Sequence, residues 1–396
     1  MRLKRQPGSP GAAIVRGPTW RTVLSLRTNE TAMHAMNWSA FGTLGAMALK
    51  QMDRNRQARG QMMERAGYGP RPTPSSTVHR EPGLHLRRYG AQAAEGPSVL
   101  LVPAPIKRAY IWDLAPERSV VRRWTERGYR VYLAEWEPLP DAGAGQGFGL
   151  ADYADRLLGA CRQAMDADGS SGQPVLAGHS LGGVLAAIHS CLHPDQVRAT
   201  LLLEAPLHFG PDACCFHKLV QATPDAHQVA GTFGQVPGDF LNTMSALAEP
   251  QAFQWERWMD RWLSLGDPQA LATHMQVERW THDEFALPGQ LFGDIVECLY
   301  RRDAFMRGVL EIGGRRIGPQ DLRTPLLSVV DPRSKLIPPA AVLPFHEAAA
   351  GPRKQVLHYE GDIGVTLQHV GVLVGRSAHA RLWPAVFDWL DGRVES

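Results

Sequence analysis

The segment Gly178-His-Ser-Leu-Gly-Gly183 carries the pattern G-x-S-x-G, which places a serine between two glycines. An apolar run before it predicts a strand, and the run Leu181 to Leu192 after it predicts a helix. On such a sharp turn the glycines avoid clashes and leave the serine hydroxyl exposed at the end of a sheet. The first N–H groups of the helix point at the same place. The pattern predicts Ser180 as the nucleophile of an acyl transfer and the Leu181 N–H as an oxyanion donor; the alternative is a tight glycine turn of purely structural use.

A serine nucleophile needs a histidine that accepts its proton and a carboxylate that orients the histidine. In a strand–serine–helix arrangement both follow the serine in the chain, the acid first and the histidine last. Among the 15 histidines, His369 lies in the loop between a strand predicted at 355–359 and the last predicted helix, so it is the predicted base. The second oxyanion donor belongs to the loop after the first buried strand. Pro103 and Pro105 have no N–H there, which leaves the Ile106 N–H.

Short apolar runs alternate with longer helical stretches along most of the chain. The predicted strands are 98–102, 130–134, 174–177, 199–203, 325–330 and 355–359. The helices predicted among them are 118–127, 151–166, 181–192 and 378–390. Continuous Val/Leu runs are typical of strands buried on both faces of a parallel sheet. We therefore predict an α/β fold with a mainly parallel central sheet and right-handed crossovers.

The interval at about 206–320 interrupts this alternation and is mainly helical, so it predicts a cap inserted between two strands of the sheet. Within it, Trp255, Trp258 and Trp262 recur on one helix face. Such a stripe is typical of a packing face, and we expect these side chains to form the packing face of the cap. The alternative is that they form the wall of an acyl channel.

Composition excludes several classes of protein. The 396 residues are 44% hydrophobic, and 42 Lys+Arg against 39 Asp+Glu give a net charge of +3, which excludes a disordered chain and argues against a nucleic-acid binder. The five cysteines are odd in number and form no C-x-x-C pair, which argues against a zinc cluster or a disulfide framework and favours a reducing cytoplasm. No apolar run reaches the ~18 residues of a transmembrane helix. No metal or other cofactor is predicted.

Several long segments carry a resemblance to a known family. They are Leu101–Glu117, Val277–Glu284, Leu310–Ile317, His369–Val372 and the serine turn itself. In these segments the chain resembles the poly(3-hydroxyalkanoate) synthases, most of all the catalytic subunit of the two-component class III enzymes. The resemblance covers 80–396 and implies an α/β-hydrolase domain there. Before it, the residues themselves predict a basic, disordered arm at 1–35 and, over 36–79, a helix at 36–66 followed by a linker. It also implies a (hydroxy)acyl ester or acyl-coenzyme A thioester as substrate, a polyester as a further candidate, and a homodimer or a partner subunit.

Two residues depart from the family pattern. The family has a nucleophilic cysteine where this chain has Ser180, and a thiolate is the better group for passing an acyl chain between thioesters. The position of the family's aspartate is Ser334 here, so another residue must supply the acid. Glu204 ends the strand predicted at 199–203, Asp331 follows the strand predicted at 325–330, and both remain candidates beside a Ser–His dyad without an acid.

The serine shifts the expected chemistry from polymerisation toward hydrolysis or a single acyl transfer. We therefore predict a serine-nucleophile α/β-hydrolase that cleaves or transfers a (hydroxy)acyl group through an acyl-serine intermediate. One alternative is a true polyhydroxyalkanoate synthase that polymerises 3-hydroxyacyl-coenzyme A. Another is a non-catalytic relative that binds a polyester granule or a partner.

Overall fold

The computed structural model describes residues 43–90, 96–139 and 148–393. All of the described residues belong to one compact unit within 38–396. The arm predicted at 1–35 and the start of the helix predicted at 36–66 lie outside the described residues.

Strands occur throughout the described chain. In chain order they are β1 (Ser75–Glu81), β2 (Leu84–Tyr89), β3 (Ser98–Val102), β4 (Asp113–Ala115), β5 (Arg118–Ser119), β6 (Arg130–Trp136), β7 (Val175–His179), β8 (Ala199–Leu203), β9 (Gln235–Val236), β10 (Leu287–Pro288), β11 (Leu310–Ile312), β12 (Arg315–Ile317), β13 (Leu326–Val330) and β14 (Lys354–His358). The central sheet has eight of them in the order β1-β2-β6-β3-β7-β8-β13-β14. The three other pairs, β4/β5, β9/β10 and β11/β12, are short hairpins or ribbons outside it.

The α-helices flank this sheet or lie in the insertion after β8. In chain order they are α1 (Thr43–Met63), α2 (Val120–Glu126), α3 (Leu158–Ala167), α4 (Leu181–Leu192), α5 (His217–Ala222), α6 (Ala226–Gly231), α7 (Gly238–Ala248), α8 (Arg257–Ser264), α9 (Pro268–Thr281), α10 (Gly289–Asp294), α11 (Leu343–Ala348), α12 (Gln368–Val374) and α13 (Trp383–Leu390). Short π-helical segments adjoin some of them, at Glu64–Tyr68, Asp152–Leu157, Gln251–Glu256, Ile295–Arg301 and Ala378–Leu382. The 3₁₀ turns are Ala109–Trp112, Pro194–Gln196, Pro319–Asp321 and Pro339–Ala341.

The six predicted strands are confirmed as β3, β6, β7, β8, β13 and β14, and all of their pairings with one another are parallel. The predicted α/β fold with a mainly parallel sheet is therefore confirmed. The β1–β2 hairpin was not predicted, and it pairs antiparallel with the sheet edge at β6. Part of the hairpin lies in the predicted linker, because β1 begins at Ser75. The side chains of β1 are mostly polar and largely exposed, so the sequence shows no buried apolar run there.

Alternate residues of the central strands pack on opposite faces of the sheet, as the pleat requires. Leu100 and Leu176 join a core with α3 and α4, whereas Val99 and Val175 join a core with α2 and α13. The sheet is thus buried on both sides. Its carboxyl edge collects the loops after β3, β7, β8 and β13, which is the edge where open α/β sheets place their ligand sites.

Helices α5 to α10 follow β8, and they make the insertion predominantly helical before β13 resumes the sheet. The expectation for the tryptophan stripe is wrong, because Trp255, Trp258 and Trp262 are 58%, 49% and 56% exposed. The opposite side of helix α8 is the one that faces the rest of the protein. There the buried Asp260 accepts hydrogen bonds from the Gly364 and Thr366 N–H groups at 2.7 and 2.8 Å. No helix in the described ranges is long and apolar enough to span a lipid bilayer.

Candidate active site

Ser180 lies at the turn between β7 and α4, in a backbone conformation that serine rarely adopts, with φ 56° and ψ −131°. Strain of this kind costs about 1–3 kcal/mol and persists only where the surroundings enforce it. Here the Ser180 N–H donates to the Leu203 carbonyl at 3.0 Å, and the Ser180 carbonyl accepts from the Gly183 N–H at 2.9 Å. The Leu181 N–H, as the first of α4, has no partner within the helix and is available to a ligand.

The two glycines of the turn are required by space. A Cβ on Gly178 would lie 2.4 Å from the Gly182 carbonyl oxygen, and a Cβ on Gly182 would lie 2.1 Å from the Val102 carbonyl oxygen. Both atoms belong to backbone that cannot move aside without breaking the sheet or the helix. The G-x-S-x-G pattern therefore forms the sharp strand-to-helix turn that the sequence predicts.

Glu204 follows β8 directly, and its side chain is fully buried. Its Oε2 lies 3.1 Å from His369 Nδ1, and its Oε1 accepts a hydrogen bond from the Asp331 N–H at 2.6 Å. Glu204 also has a positive φ, 48°, while its own N–H remains bonded to the Val329 carbonyl at 2.9 Å. This left-handed residue turns the chain at the strand end and holds the carboxylate between β13 and His369.

Asp331, the other candidate acid, is also buried but has different partners. Its Oδ1 accepts from the Arg333 N–H at 2.9 Å and from Arg333 Nε at 3.3 Å. Among the described residues its carboxylate makes no hydrogen bond to His369. At Ser334, the position where the resemblance predicts the family's aspartate, Oγ accepts from the Ile337 N–H at 3.0 Å and caps a local turn. Of the two carboxylates, only that of Glu204 bonds to the histidine.

His369 lies in the first turn of α12 rather than in a loop, which corrects the expectation for its local structure. A second histidine, His179 of the serine turn, lies beside it with ring centroids 4.5 Å apart. His179 Nε2 is 2.8 Å from the His369 carbonyl oxygen, so it donates to that oxygen. Because His369 Nδ1 faces the Glu204 carboxylate, Nδ1 carries the proton and Nε2 keeps a free lone pair. Sequence reasoning missed this contact of His179, although its position inside the serine turn was a signal.

Burial controls the protonation of the site. Desolvation lowers the pKa of His369 from its usual 6.5 to about 4, so the ring is neutral near pH 7. Desolvation also holds the pKa of His179 well below its usual value, with a contribution from the adjacent His369. Burial raises the pKa of Glu204, while the Asp331 N–H bond to its carboxylate acts in the opposite direction.

A cavity of about 250 Å³ joins these residues: Ser180, Leu181, His369 and Ile106 all line it. Most of its other lining side chains are apolar and come from the insertion, among them Leu219, Val229, Phe240, Met244, Phe292 and Val296. A second, more open cleft of about 670 Å³ has Leu336, Leu367 and His369 in common with it and has Asp331 in its wall. Four of the six residues predicted to do the chemistry or bind the oxyanion thus border one apolar space, and the two candidate acids do not line it.

Groups of side chains that could hold a metal ion lie elsewhere. In the described ranges, Asp155, His189 and His193 form one such group, and His85, Glu135 and Glu137 form another, each with ligand atoms within 4.8 Å of one another. The first group lies at the C-terminal end of α4, and Ser180 lies at its N-terminal end. None of these six residues lines either cavity beside His369.

The sheet order, the serine turn and the histidine after the last strand define an α/β-hydrolase fold. A solved structure agrees: a putative non-heme bromoperoxidase, BpoC, from Mycobacterium tuberculosis H37Rv superposes with a TM-score of 0.52 at 14% identity, covering 80% of this chain and 98% of that one. No protein-family model matches the chain.

Curated relatives are poly(3-hydroxyalkanoate) polymerase subunits named PhaC. That of Haloarcula marismortui is 28% identical over 371 residues, 91% of this chain and 76% of the relative. That of Haloferax mediterranei is 29% identical over 82% of this chain and 65% of the relative, and that of Allochromatium vinosum is 26% identical over 81% and 89%. The resemblance that the motifs predict is therefore confirmed.

These homologues support an enzyme of the α/β-hydrolase superfamily. Because they are named polymerases, they favour the synthase alternative over the interpretation as a hydrolase.

Proposed function

We propose that the protein is an acyltransferase that takes a 3-hydroxyacyl group from a thioester onto Ser180 and passes it to a hydroxyl group, extending a polyester as the polymerase relatives do. The observation that carries the proposal is the Glu204–His369 hydrogen bond beside an apolar cavity that Ser180 and His369 both line. A coenzyme A thioester is the substrate, and no resident cofactor has a part in the reaction.

In the first step Ser180 Oγ attacks the thioester carbonyl carbon, and His369 Nε2 takes the hydroxyl proton. The Glu204 carboxylate stabilises the imidazolium that forms, and the Leu181 and Ile106 N–H groups bind the oxyanion. The carbon–sulfur bond then breaks. The departing thiolate takes the proton from His369, and an ester on Ser180 remains.

In the second step the hydroxyl group of another hydroxyacyl unit attacks the Ser180 ester. His369 takes the proton of this hydroxyl and returns it to Ser180 Oγ as the enzyme–acyl bond breaks. The product is one ester longer, and the serine is regenerated. An apolar cavity suits this step, because a space that excludes water favours attack by a bound hydroxyl group over attack by water.

The second candidate function is hydrolysis, in which water takes the place of that hydroxyl. Ser180 itself favours it, because a serine acyl-enzyme is an oxygen ester rather than the thioester that a cysteine nucleophile forms. Both functions have the same first step and differ only in the acceptor.

The test is incubation of the purified protein with 3-hydroxybutyryl-coenzyme A. We expect sustained release of coenzyme A together with an insoluble polyester, and loss of both in Ser180→Ala. Release of free 3-hydroxy acid without polymer would establish the hydrolase instead. A wild-type protein that neither releases coenzyme A nor is labelled at Ser180 by a fluorophosphonate would be a non-catalytic binder. A partner subunit, which the word "subunit" in the relatives' names suggests, would be found by adding cell extract and measuring the gain in rate.

A further inference from the structure

The loop after β3, which contains Ile106, is bound to a turn of the insertion at 281–285. Lys107 and Glu284 form an antiparallel β-bridge, and their side chains form an ion pair with Nζ 2.7 Å from Oε1. Lys107 Nζ also donates to the Thr281 carbonyl at 3.1 Å, and the Ile106 carbonyl accepts from the Phe285 N–H at 3.3 Å. The position of the Ile106 peptide therefore depends on this turn.

The same turn is held from its other side by helix α1. The Arg56 side chain is only 2% exposed, and its guanidinium donates to the carbonyls of His282 and Glu284 at 2.6 and 3.1 Å. Two carboxylates fix the guanidinium: Asp53 at 2.8 Å and Asp239 at 3.3 Å. A rigid, planar group with five donors is suited to join two carbonyls and two carboxylates at once.

Close packing reinforces these contacts. A Cβ on Gly60, one turn after Arg56, would lie 3.0 Å from the His282 Cβ, so the helix approaches the turn as closely as a glycine allows. Glu64, in the π-helical segment that follows α1, forms an ion pair with Arg279 at 2.6 Å, just before the turn. Helix α1 and the segment after it therefore contact the 281–285 turn and the residues before it over about two turns of helix.

We propose that Arg56 is a positioning residue for the reaction, acting through the turn at 281–285 to fix the loop that supplies the Ile106 N–H to the oxyanion. The inference rests on the proposed function and extends it: a helix that lies before the α/β-hydrolase domain completes the oxyanion site. The path is continuous, from the Arg56 guanidinium to the Glu284 backbone, from the Glu284 side chain to Lys107, and from Lys107 to its neighbour Ile106.

The test compares Arg56→Met, Arg56→Lys and Glu284→Gln with Arg54→Met as the matched control. Arg54 is on the same helix but is exposed, and among the described residues its side chain hydrogen-bonds to Gln51 and not to the turn, so its replacement leaves the turn untouched. Each variant is assayed for kcat and KM with the acyl thioester. Each is also titrated with an alkylboronic acid, which forms a tetrahedral adduct on serine and occupies the oxyanion site. Thermal unfolding is measured for all of them.

We expect Arg56→Met to lower kcat at least tenfold, toward the roughly 10²- to 10³-fold loss that removal of one oxyanion donor causes. KM should change less than about threefold, and the boronate dissociation constant should rise in step with the loss of kcat. Arg56→Lys should recover part of the loss, Glu284→Gln should act in the same direction, and Arg54→Met should match the wild type.

Wild-type kcat and boronate affinity in folded Arg56→Met and Glu284→Gln would overturn the inference, while Ser180 labelling in the same samples would leave the proposed function standing. A loss of kcat that only follows the unfolded fraction would also overturn it. Absence of Ser180 labelling in the wild type would overturn the proposed function and this inference together.

Discussion

The Glu204 carboxylate bridges His369 and the chain after β13, with Oε2 3.1 Å from His369 Nδ1 and Oε1 2.6 Å from the Asp331 backbone nitrogen. The two candidate acids are therefore neighbours, but only the Glu204 carboxylate contacts the histidine. Asp331 contributes its N–H, which orients Glu204, whereas its own carboxylate is turned toward Arg333. The direction of the two side chains therefore favours Glu204 as the candidate acid.

Replacement of Glu204 by Gln should lower kcat by about 10³- to 10⁴-fold, because the amide cannot stabilise the imidazolium and can hold the histidine in the wrong tautomer. Asp331→Asn keeps the backbone N–H that orients Glu204, so its kcat should stay within about tenfold of wild type. Steady-state rates and the rate of fluorophosphonate labelling check both variants. A slower Asp331→Asn than Glu204→Gln would make Asp331 the acid, and wild-type rates in both would favour a Ser–His dyad.

The pKa of His369 predicts the acid limb of the pH profile. Burial lowers this pKa from 6.5 to about 4, so the ring remains a neutral base until the pH falls through about 4. A plot of kcat/KM against pH should stay level from pH 8 to about 5 and decline below that. An acid limb centred near 6.5 would contradict the prediction.

That measurement needs a stability control, because other buried histidines share the shift. The pKa values of His189, His346 and His379 are lowered to about 4, chiefly by desolvation. These rings are protonated in the unfolded chain below pH 6.5 but stay neutral in the fold until about pH 4. Stability should therefore fall as the pH drops through this window, and circular dichroism at each pH separates unfolding from titration of His369.

The central parallel strands could be predicted because they are continuous apolar runs buried on both faces, as in Val99 and Leu100 of β3, whereas the edge strand β14 is only half-buried. The β1–β2 hairpin could not, since edge strands need only one apolar side and β1 has the sequence SSTVHRE. The hairpin joins the sheet because β2 pairs with β6, which begins 41 residues after β2 ends. A pairing between such distant segments leaves no pattern in the local sequence.

The placement of Ser180, His369 and the two candidate acids at one edge of the sheet could also be predicted, because chain order and strand ends narrow the choice. Local sequence could not decide between Glu204 and Asp331, since both follow parallel strands at the same sheet edge. Which carboxylate contacts His369 depends on side-chain direction, which the positive φ of Glu204 and the hydrogen bond from the Asp331 N–H set together.

The prediction for the tryptophan stripe was wrong for a different reason. Periodicity identifies an apolar helix face but cannot tell whether that face is turned inward. In α8 the inward side is held by buried Asp260, which also bonds to His274 Nδ1 at 2.7 Å. The hydrogen bonds of Asp260 therefore determine which side of α8 faces inward. The tryptophan side faces solvent, where Trp258 stacks on Trp255.

The serine turn should not tolerate a methyl group on its glycines. In Gly182→Ala the new Cβ would lie 2.1 Å from the Val102 carbonyl oxygen, so β3 or α4 must shift, and we expect a loss of stability of more than about 3 kcal/mol or failure to fold. Chemical denaturation of the purified variant measures the loss.

Gly159→Ala is the matched control, because this glycine lies in α3 and a Cβ there meets nothing within 4 Å. It should be neutral or stabilise the protein by up to about 1 kcal/mol. Equal losses of stability in Gly182→Ala and Gly159→Ala would contradict the prediction that the serine turn has no room for a Cβ at Gly182.

Replacement of Ser180 by Cys should separate thioester from ester substrates. A thiolate that attacks a thioester displaces another thiolate, and this exchange is nearly balanced. When it attacks an alkyl ester, the attacking thiolate is a better leaving group than the alkoxide, so the tetrahedral intermediate returns to the starting ester. We expect the ratio of kcat/KM for 3-hydroxybutyryl-coenzyme A to that for methyl 3-hydroxybutyrate to rise at least about 10²-fold over the wild type, while Ser180→Ala loses both activities. An unchanged ratio in Ser180→Cys would mean that the nucleophile is another residue.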